Sequence, residues 1–286
     1  MIINRIRLYW PCIKSLQTSL LLFTGLTGYI SARCPVFHLP MIAGLLVSLF
    51  LTVSGSTILN MVYDRDIDGQ MKRTYKRPLP SGLLDVKEAM LFGVILSVFG
   101  IGLSFWLSPL YAWIIFAGWF LDVIVYTFWL KRRTPWSILW GGLSGGMPVL
   151  AGRVLGTGHI DLIGILLAIA VVLWIPTHIM TFNIRYHEDY QNAGVPTFLS
   201  EYGIHATRFT IALSAVGAAA AFMLGCYALG LAWGYLRLLG VLTVGIVGLA
   251  SLSLMRPSEK TNFALFKFAS LYMLSAMLLI LLGVYG

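Results

Sequence analysis

Charge is what this chain has least of: only 11% of its 286 residues are Asp, Glu, Lys or Arg, against about a quarter in ordinary soluble domains. That shortage, beside a hydrophobic share of 58%, excludes a water-soluble globular domain, which needs a charged exterior. Cysteine is scarce as well. Cys12, Cys34 and Cys226 are too few and too widely spaced for a disulfide framework or a metal-ligand pattern. Acidic residues are outnumbered by basic ones, 11 to 20, but that excess follows from membrane topology and requires no nucleic-acid partner.

Apolar runs fill the rest. A run of roughly 20 residues crosses the hydrocarbon layer, and nine recur here, at about 15–33, 41–63, 89–107, 109–130, 137–156, 160–183, 209–230, 233–254 and 266–285. The expected fold is all-α: a polytopic membrane protein with one domain over residues 1–286. Cytoplasmic loops collect Lys and Arg. With the N-terminus inside, all 20 basic residues except Arg33, Arg153 and Arg237 fall on the cytoplasmic side, Lys267 among them. The expected location is the cell's inner membrane, with the C-terminus on the opposite face and the basic edge attracting anionic lipid. Arg5, Arg7 and Lys14 before the first run imitate a signal peptide, but the many later runs favour an uncleaved first helix.

The second run ends in Asn60-Met-Val-Tyr-Asp64-Arg-Asp66-Ile-Asp68, followed by Lys72, Arg73, Lys76 and Arg77. On a helix, residues four apart drift by only about 40°, so Asn60, Asp64 and Asp68 share a face and their oxygens converge. Hard divalent cations such as Mg2+ take oxygen donors and complete their shell with water and substrate phosphates. Carboxylates beside cations therefore read as a metal-bridged diphosphate site, with Lys72, Arg73, Lys76 and Arg77 receiving the departing negative charge. Asp66 points elsewhere and reads as a partner for a nearby Lys or Arg. The plainer alternative is a solvated charged loop at a membrane edge.

The sixth run repeats this theme after three intervening spans, which hints at two related halves, about 1–135 and 136–286. It ends in Pro176, His178, Asn183, Arg185, Tyr186, His187, Glu188, Asp189 and Tyr190. Glu188 and Asp189 read as holders of a second metal ion or as acceptor contacts, with Asn183 near enough to join them. An exposed loop explains the acids equally well. His178 and His187 are either packing residues or functional imidazoles, and Pro176 should open the helix beside a pocket. Tyr126 and Lys131-Arg132-Arg133 close the fourth run. Alone they read as an aromatic and basic membrane anchor; beside a diphosphate site, the cations become a clamp. Asp122 lies inside that span, where a carboxyl is costly unless paired, protonated or facing a cavity. Gly141, Gly142, Gly145 and Gly146 suit close helix packing or close approach of a ligand.

Together the two motifs resemble the UbiA superfamily of intramembrane prenyltransferases, and within it the branch that farnesylates haem. The first motif matches at Asn60, Asp64, Asp66, Asp68, Met71, Arg73, Thr74, Arg77 and Pro78, and a basic loop matches at Leu130 to Pro135. The second motif matches at Pro176, His178, Arg185, Tyr186, Asp189, Tyr190 and Gly194. Many quinone-type relatives carry two aspartates four apart where this chain has Tyr186 and Tyr190. Two departures stand out: Cys12-Ile13-Lys14-Ser15 replaces a Thr-Lys-Pro-Arg-like approach to the first span, and Ile179 follows the histidine in place of phenylalanine.

The resemblance implies nine spans around a central cavity, Mg2+ as cofactor, farnesyl diphosphate as donor and haem b as substrate, with His178 positioning the porphyrin. A farnesylated haem product in turn implies a downstream haem-modifying enzyme or terminal oxidase. Other readings are the same chemistry on a quinone-precursor ring, a chlorophyll-like alcohol or a glycerol phosphate alcohol. A transporter of an amphipathic anion is a rival of another class, but charge gathered at the edge rather than the midplane suits transport poorly.

Overall fold

The computed structural model describes residues 7–33 and 38–285; Arg5 and Cys34 lie outside them. Among these residues the secondary structure is helical throughout. The long helices are α1 (Ser15–Ser31), α2 (Leu39–Tyr63), α4 (Val86–Leu107), α5 (Pro109–Phe120, continued by a π-helical segment Leu121–Leu130), α6 (Ser137–Thr157), α7 (Leu162–Arg185), α9 (Phe198–Ala228), α10 (Trp233–Met255) and α11 (Glu259–Gly283). Two short helices, α3 (Arg65–Gln70) and α8 (His187–Asn192), follow α2 and α7 at the same end of the bundle. Eight of the long helices are long and apolar enough to cross a membrane, and α1, with 17 residues, is marginally shorter. The protein is an integral membrane protein.

Helix starts follow local chemistry. Asp85 accepts from the Glu88 N–H (2.9 Å) at the start of α4, Asp161 from the Gly164 N–H (2.9 Å) at the start of α7, and Ser258 from the Thr261 N–H (3.0 Å) at the start of α11. A reciprocal Thr197–Ser200 capping box begins α9, satisfying donors that a helix start otherwise leaves open. These caps extend α9 and α11 well beyond the expected 209 and 266, because polar first turns such as Glu201-Tyr202 and Glu259-Lys260 carry no apolar signal. Lys267 consequently lies within α11 rather than in a loop before it. α9 also breaks its helical backbone at Gly203 (φ 77°, ψ 174°), a conformation that only glycine adopts cheaply.

Apolar side chains gather in two main clusters. One joins α7, α9, α10 and α11 around Leu167, Phe222 and Tyr272; the other joins α1, α2, α5 and α6 around Leu45, Leu49 and Tyr111. α11 packs on both α1 and α7, which links the two groups of helices. Where lipid surrounds the bundle, helices associate through close van der Waals fit rather than hydrophobic exclusion. The α1–α6 crossing illustrates this: a Cβ on Gly152 would lie 1.9 Å from the Gly25 carbonyl oxygen, and one on Gly28 2.0 Å from the Val149 oxygen. Gly146 likewise meets the Ala168 carbonyl oxygen of α7, at 2.9 Å from its would-be Cβ, so Gly146 serves helix packing. Pro176 does not break α7, which runs unbroken to Arg185; its ring only removes one backbone donor.

Gly152→Val is expected to destabilise the bundle by about 3 kcal/mol, the upper part of the usual overpacking range. Thermal unfolding in detergent would register the loss. Gly234→Ala, at a site with nothing within 4 Å of the added carbon, is the matched control and should leave the midpoint nearly unchanged.

At the end of the bundle away from α3 and α8, Arg153 is buried and donates to both Asp161 carboxylate oxygens (2.5–2.9 Å) and to the Ser31 carbonyl (2.6 Å). These bonds hold the Asp161 carboxyl below the usual carboxylate range. A fully bonded charge of this kind ties α1, α6 and α7 together without leaving an unpaired ion.

Candidate active site

Asn60, Asp64 and Asp68 sit where α2 turns into α3. Asp64 (φ −87°, ψ 3°) ends one helix and begins the next. The Asp64 N–H nevertheless donates to the Asn60 carbonyl (2.9 Å), and the Asp68 N–H to the Asp64 carbonyl (2.8 Å). The four-residue repeat thus survives the bend, and all three side chains are buried, as the spacing predicts. Thr74 fixes the following loop by donating its hydroxyl to the Asp68 carbonyl (2.8 Å).

Each carboxylate meets a cation. The Lys131 ammonium donates to Asp64 Oδ2, while Asp64 Oδ1 is buried with no hydrogen-bond partner. Arg77 donates to Asp68 Oδ2 at 2.8 Å. Lys131 owes its position to the π-helical segment: its N–H donates to the Tyr126 carbonyl five residues earlier (2.8 Å), and its Nζ lies 5.7 Å from the centre of the Tyr126 ring. The wide turn of a π-helix, a rare feature concentrated at functional sites, thereby sets Lys131 over the Tyr126 ring and aims it at Asp64. Burial works against the Lys131 charge, but Tyr126, Asp64 and Tyr190 outweigh it and hold the ammonium above the ordinary lysine range.

Asn60 is more constrained than its spacing suggests. Its Nδ2 donates to Asp122 Oδ2 (3.0 Å), and its Oδ1 accepts from the Thr127 hydroxyl (2.8 Å). The Ser56 hydroxyl donates to the same Asp122 oxygen. Asp122, the carboxyl inside a span, is therefore bonded on the far side of the Asn60 amide and fixes which way its oxygen faces.

Several expected site residues lie elsewhere. Arg132 binds both Asp66 oxygens (2.7 Å each) and the Tyr63 carbonyl (2.6 Å), and stacks 4.4 Å over the Tyr63 ring. Through these bonds it lowers the Asp66 carboxyl below its usual range, and it is occupied at the rim rather than on the buried acids. Lys72, Arg133 and Glu188 are exposed. Glu188 and Asp189 divide: Glu188 faces outward, whereas Asp189 is buried and accepts from the Lys72 N–H (3.3 Å). This contact joins the two motifs, and Ile67 and Met71 pack with Tyr190, Ala193 and Val195 beside it. Arg73 reaches the second motif too, 4.9 Å over Phe182 and 5.6 Å over Tyr186. Asn183 Oδ1 is buried without a partner. His178 stacks between Trp174 (4.8 Å) and Phe266 (4.6 Å), with its Nδ1 3.2 Å from the Ser270 hydroxyl.

One basic residue escapes the sequence argument. Lys14 takes a left-handed backbone (φ 46°, ψ 58°) just before α1, a strained state for a non-glycine residue. Its ammonium is held below the ordinary lysine value by burial first, then by the neighbouring charges of Lys131 and Arg77, with Asp122 and Asp64 opposing. It belongs to the same electrostatic group, although the sequence assigns it only to the basic inner edge. The signal that could have found it is its place at the entry to the first span, in the Cys12-Ile13-Lys14-Ser15 stretch.

Among the described residues, no three His, Cys, Asp or Glu side chains converge as a metal cluster, so Asp189 does not join Asp64 and Asp68 in one. The available donors are two carboxylates and an oriented amide. Such a sparse oxygen set fits Mg2+, which retains waters and shares substrate phosphates, and the orphaned Asp64 oxygen is a free, buried donor atom.

Fold and site define an intramembrane helical bundle with acids and bases interleaved at one end. Residues 21–281 match the UbiA prenyltransferase family. Protoheme IX farnesyltransferase of Korarchaeum cryptofilum is 41% identical over 203 residues, 71% of this chain and 68% of the relative. The protein of the same name from Pyrobaculum arsenaticum is 39% identical over 251 residues, 87% and 88% of the two chains. A solved digeranylgeranylglyceryl phosphate synthase shares the fold at TM-score 0.83 and 21% identity, covering 98% of this chain and 99% of its own. A UbiA homologue from Archaeoglobus fulgidus bound to GPP and Mg2+ shares it at TM-score 0.68 and 13% identity, covering 96% and 99%. The chain belongs to the UbiA prenyltransferase family.

Proposed function

We propose that this protein transfers a farnesyl group from farnesyl diphosphate to a vinyl group of haem b, giving haem O. The observation that carries this reading is the identity of 36–41% to proteins named protoheme IX farnesyltransferase, together with tyrosines rather than aspartates at 186 and 190. Mg2+, held by Asp64, Asp68 and Asn60, would supply charge neutralisation on the diphosphate oxygens. Arg77 and Lys131, which pair with these acids, stand where the leaving group's charge grows, with Arg73 beside them on the second motif, and such fixed charges act most strongly where water is excluded. The farnesyl C1–O bond breaks with its electron pair passing to the diphosphate. The vinyl π pair then forms the new C–C bond, and water adds at the resulting cation with loss of a proton, leaving a hydroxyethylfarnesyl side chain. The site end is assigned to the cytoplasmic face, because nearly all basic residues gather there.

Mass-spectrometric analysis of haems extracted from cells expressing this chain tests the reading. Haem O is the expected new pigment. Its absence, with turnover of a phenolic acid by the purified protein, would move the assignment to a quinone-type acceptor.

A further inference from the structure

Lys267 stands where the polar start of α11 gives way to its apolar run. It lies eight residues into α11, about 12 Å along the axis, and is exposed without an ion-pair partner among the described residues. Its ammonium reaches back toward the polar start of the helix, as long basic side chains do at a membrane edge, so what distinguishes it is the lack of a counter-ion. What holds it is an aromatic face: its Nζ lies 4.4 Å from the centre of the Phe263 ring. The same ring carries a second cation, the Arg185 guanidinium from the end of α7, at 4.1 Å. Among the described residues Arg185 also has no carboxylate partner, in contrast to Arg77, Lys131, Arg132 and Arg153, which all pair with aspartates.

From these two cations a run of packed aromatic rings leads into the bundle. Phe263 stacks on Phe266 (6.2 Å between centres, 9° between planes), and Phe266 stacks on His178 (4.6 Å, 23°). Phe182 connects this run to Arg73 of the first motif. The stack is rigid, because α7 and α11 are stitched together by Asn262 donating to the Thr181 carbonyl (2.9 Å) and by Trp174 donating to the Ala269 carbonyl (2.7 Å). The faces of these rings are taken up by one another and by the two cations, so a flat conjugated ring meets the edge of a rigid aromatic stack, and an acidic edge of that ring meets two cations with no carboxylate acceptor among the described residues.

We infer that Arg185 and Lys267 bind the carboxylates of the prenyl acceptor, whose ring lies along the Phe263–Phe266–His178 stack. This rests on the acceptor proposed above being a porphyrin, and it assigns that porphyrin an orientation. The two propionates of haem b leave one edge of the macrocycle and the vinyl groups lie on the other side. Propionates held by the two cations send the vinyl edge inward, toward the prenyl donor. An anionic lipid phosphate offers the same charge, so the test separates the two sources.

The experiment uses the full-length protein in nanodiscs, with haem b and its dimethyl ester as acceptors. Arg185→Gln and Lys267→Gln should each raise KM for haem b by about tenfold, the scale of one charge-assisted hydrogen bond, while KM for farnesyl diphosphate stays within about twofold. Lys267→Arg should restore most of the affinity, which separates charge from misfolding. The dimethyl ester, lacking carboxylates, should be used equally by wild type and variants. Soret titration without diphosphate should give the same shifts in Kd. Wild-type affinity in both glutamine variants overturns the inference and leaves haem farnesylation standing. A loss confined to anionic-lipid nanodiscs and absent in phosphatidylcholine overturns it in favour of a headgroup site. If the wild type neither perturbs the Soret band nor makes haem O, the functional reading fails and this inference with it.

Discussion

Asp64→Ala is expected to lower prenyl transfer by about a thousandfold or more, the scale at which removing a key electrostatic group depresses turnover. Asp64 is the most committed residue of the site: one oxygen carries the Lys131 contact, and the other is buried and unbonded. A buried acceptor without a donor costs free energy, and a metal ion bound during turnover would remove that cost. Diphosphate release by purified protein reads the effect. Asp64→Asn separates charge from shape: it keeps the side chain's size but loses the negative charge, and should be nearly as inactive. Normal membrane insertion with undiminished release would show that Asp64 is not part of the reaction.

Lys131→Met should produce two effects of opposite sign. In the structure its ammonium neutralises Asp64, so it competes with any metal ion for that carboxylate. Removing it should tighten Mg2+ binding while turnover falls by about a hundredfold or more, since the cation no longer meets the leaving group's charge. Calorimetric titration with Mg2+ measures the first effect and single-turnover kinetics the second. A variant that loses both metal binding and activity would mean that Lys131 only supports the fold. The π-helical turn that delivers Lys131 is part of the same arrangement, because its wide turn places the ammonium 5.7 Å from the centre of the Tyr126 ring.

Asn60 and Asp122 show how a site can be half legible. The spacing of Asn60 to Asp64 and Asp68 predicts a shared face, and the backbone repeat gives it. The spacing does not reveal that the amide nitrogen is held by Asp122, a residue 62 positions further on. Asp122 stands out in the sequence only as an expensive charge in a span, and its partners, Ser56 and Asn60 on α2, become visible once α2 and α5 are packed. The same distinction explains Arg132. Its neighbours in the basic loop suggest a phosphate clamp, but the exposed Asp66 offers a bidentate partner, and the fork of a guanidinium matches a carboxylate better than a lysine does.

The spans, their order and the face shared by residues 60, 64 and 68 were set by the sequence alone, because hydropathy and helical pitch are local: each depends on neighbours within a few turns. The starts of α9 and α11 were not, since their polar first turns are held by caps rather than by apolar runs. Only the tertiary structure decided that Asp189 meets the loop after α3, that Arg73 stacks on α7, that Glu188 turns outward and that Lys267 shares an aromatic ring with Arg185. These are choices among partners far apart in the chain, and they depend on which helices touch and at what height, a property of packing that no local period encodes.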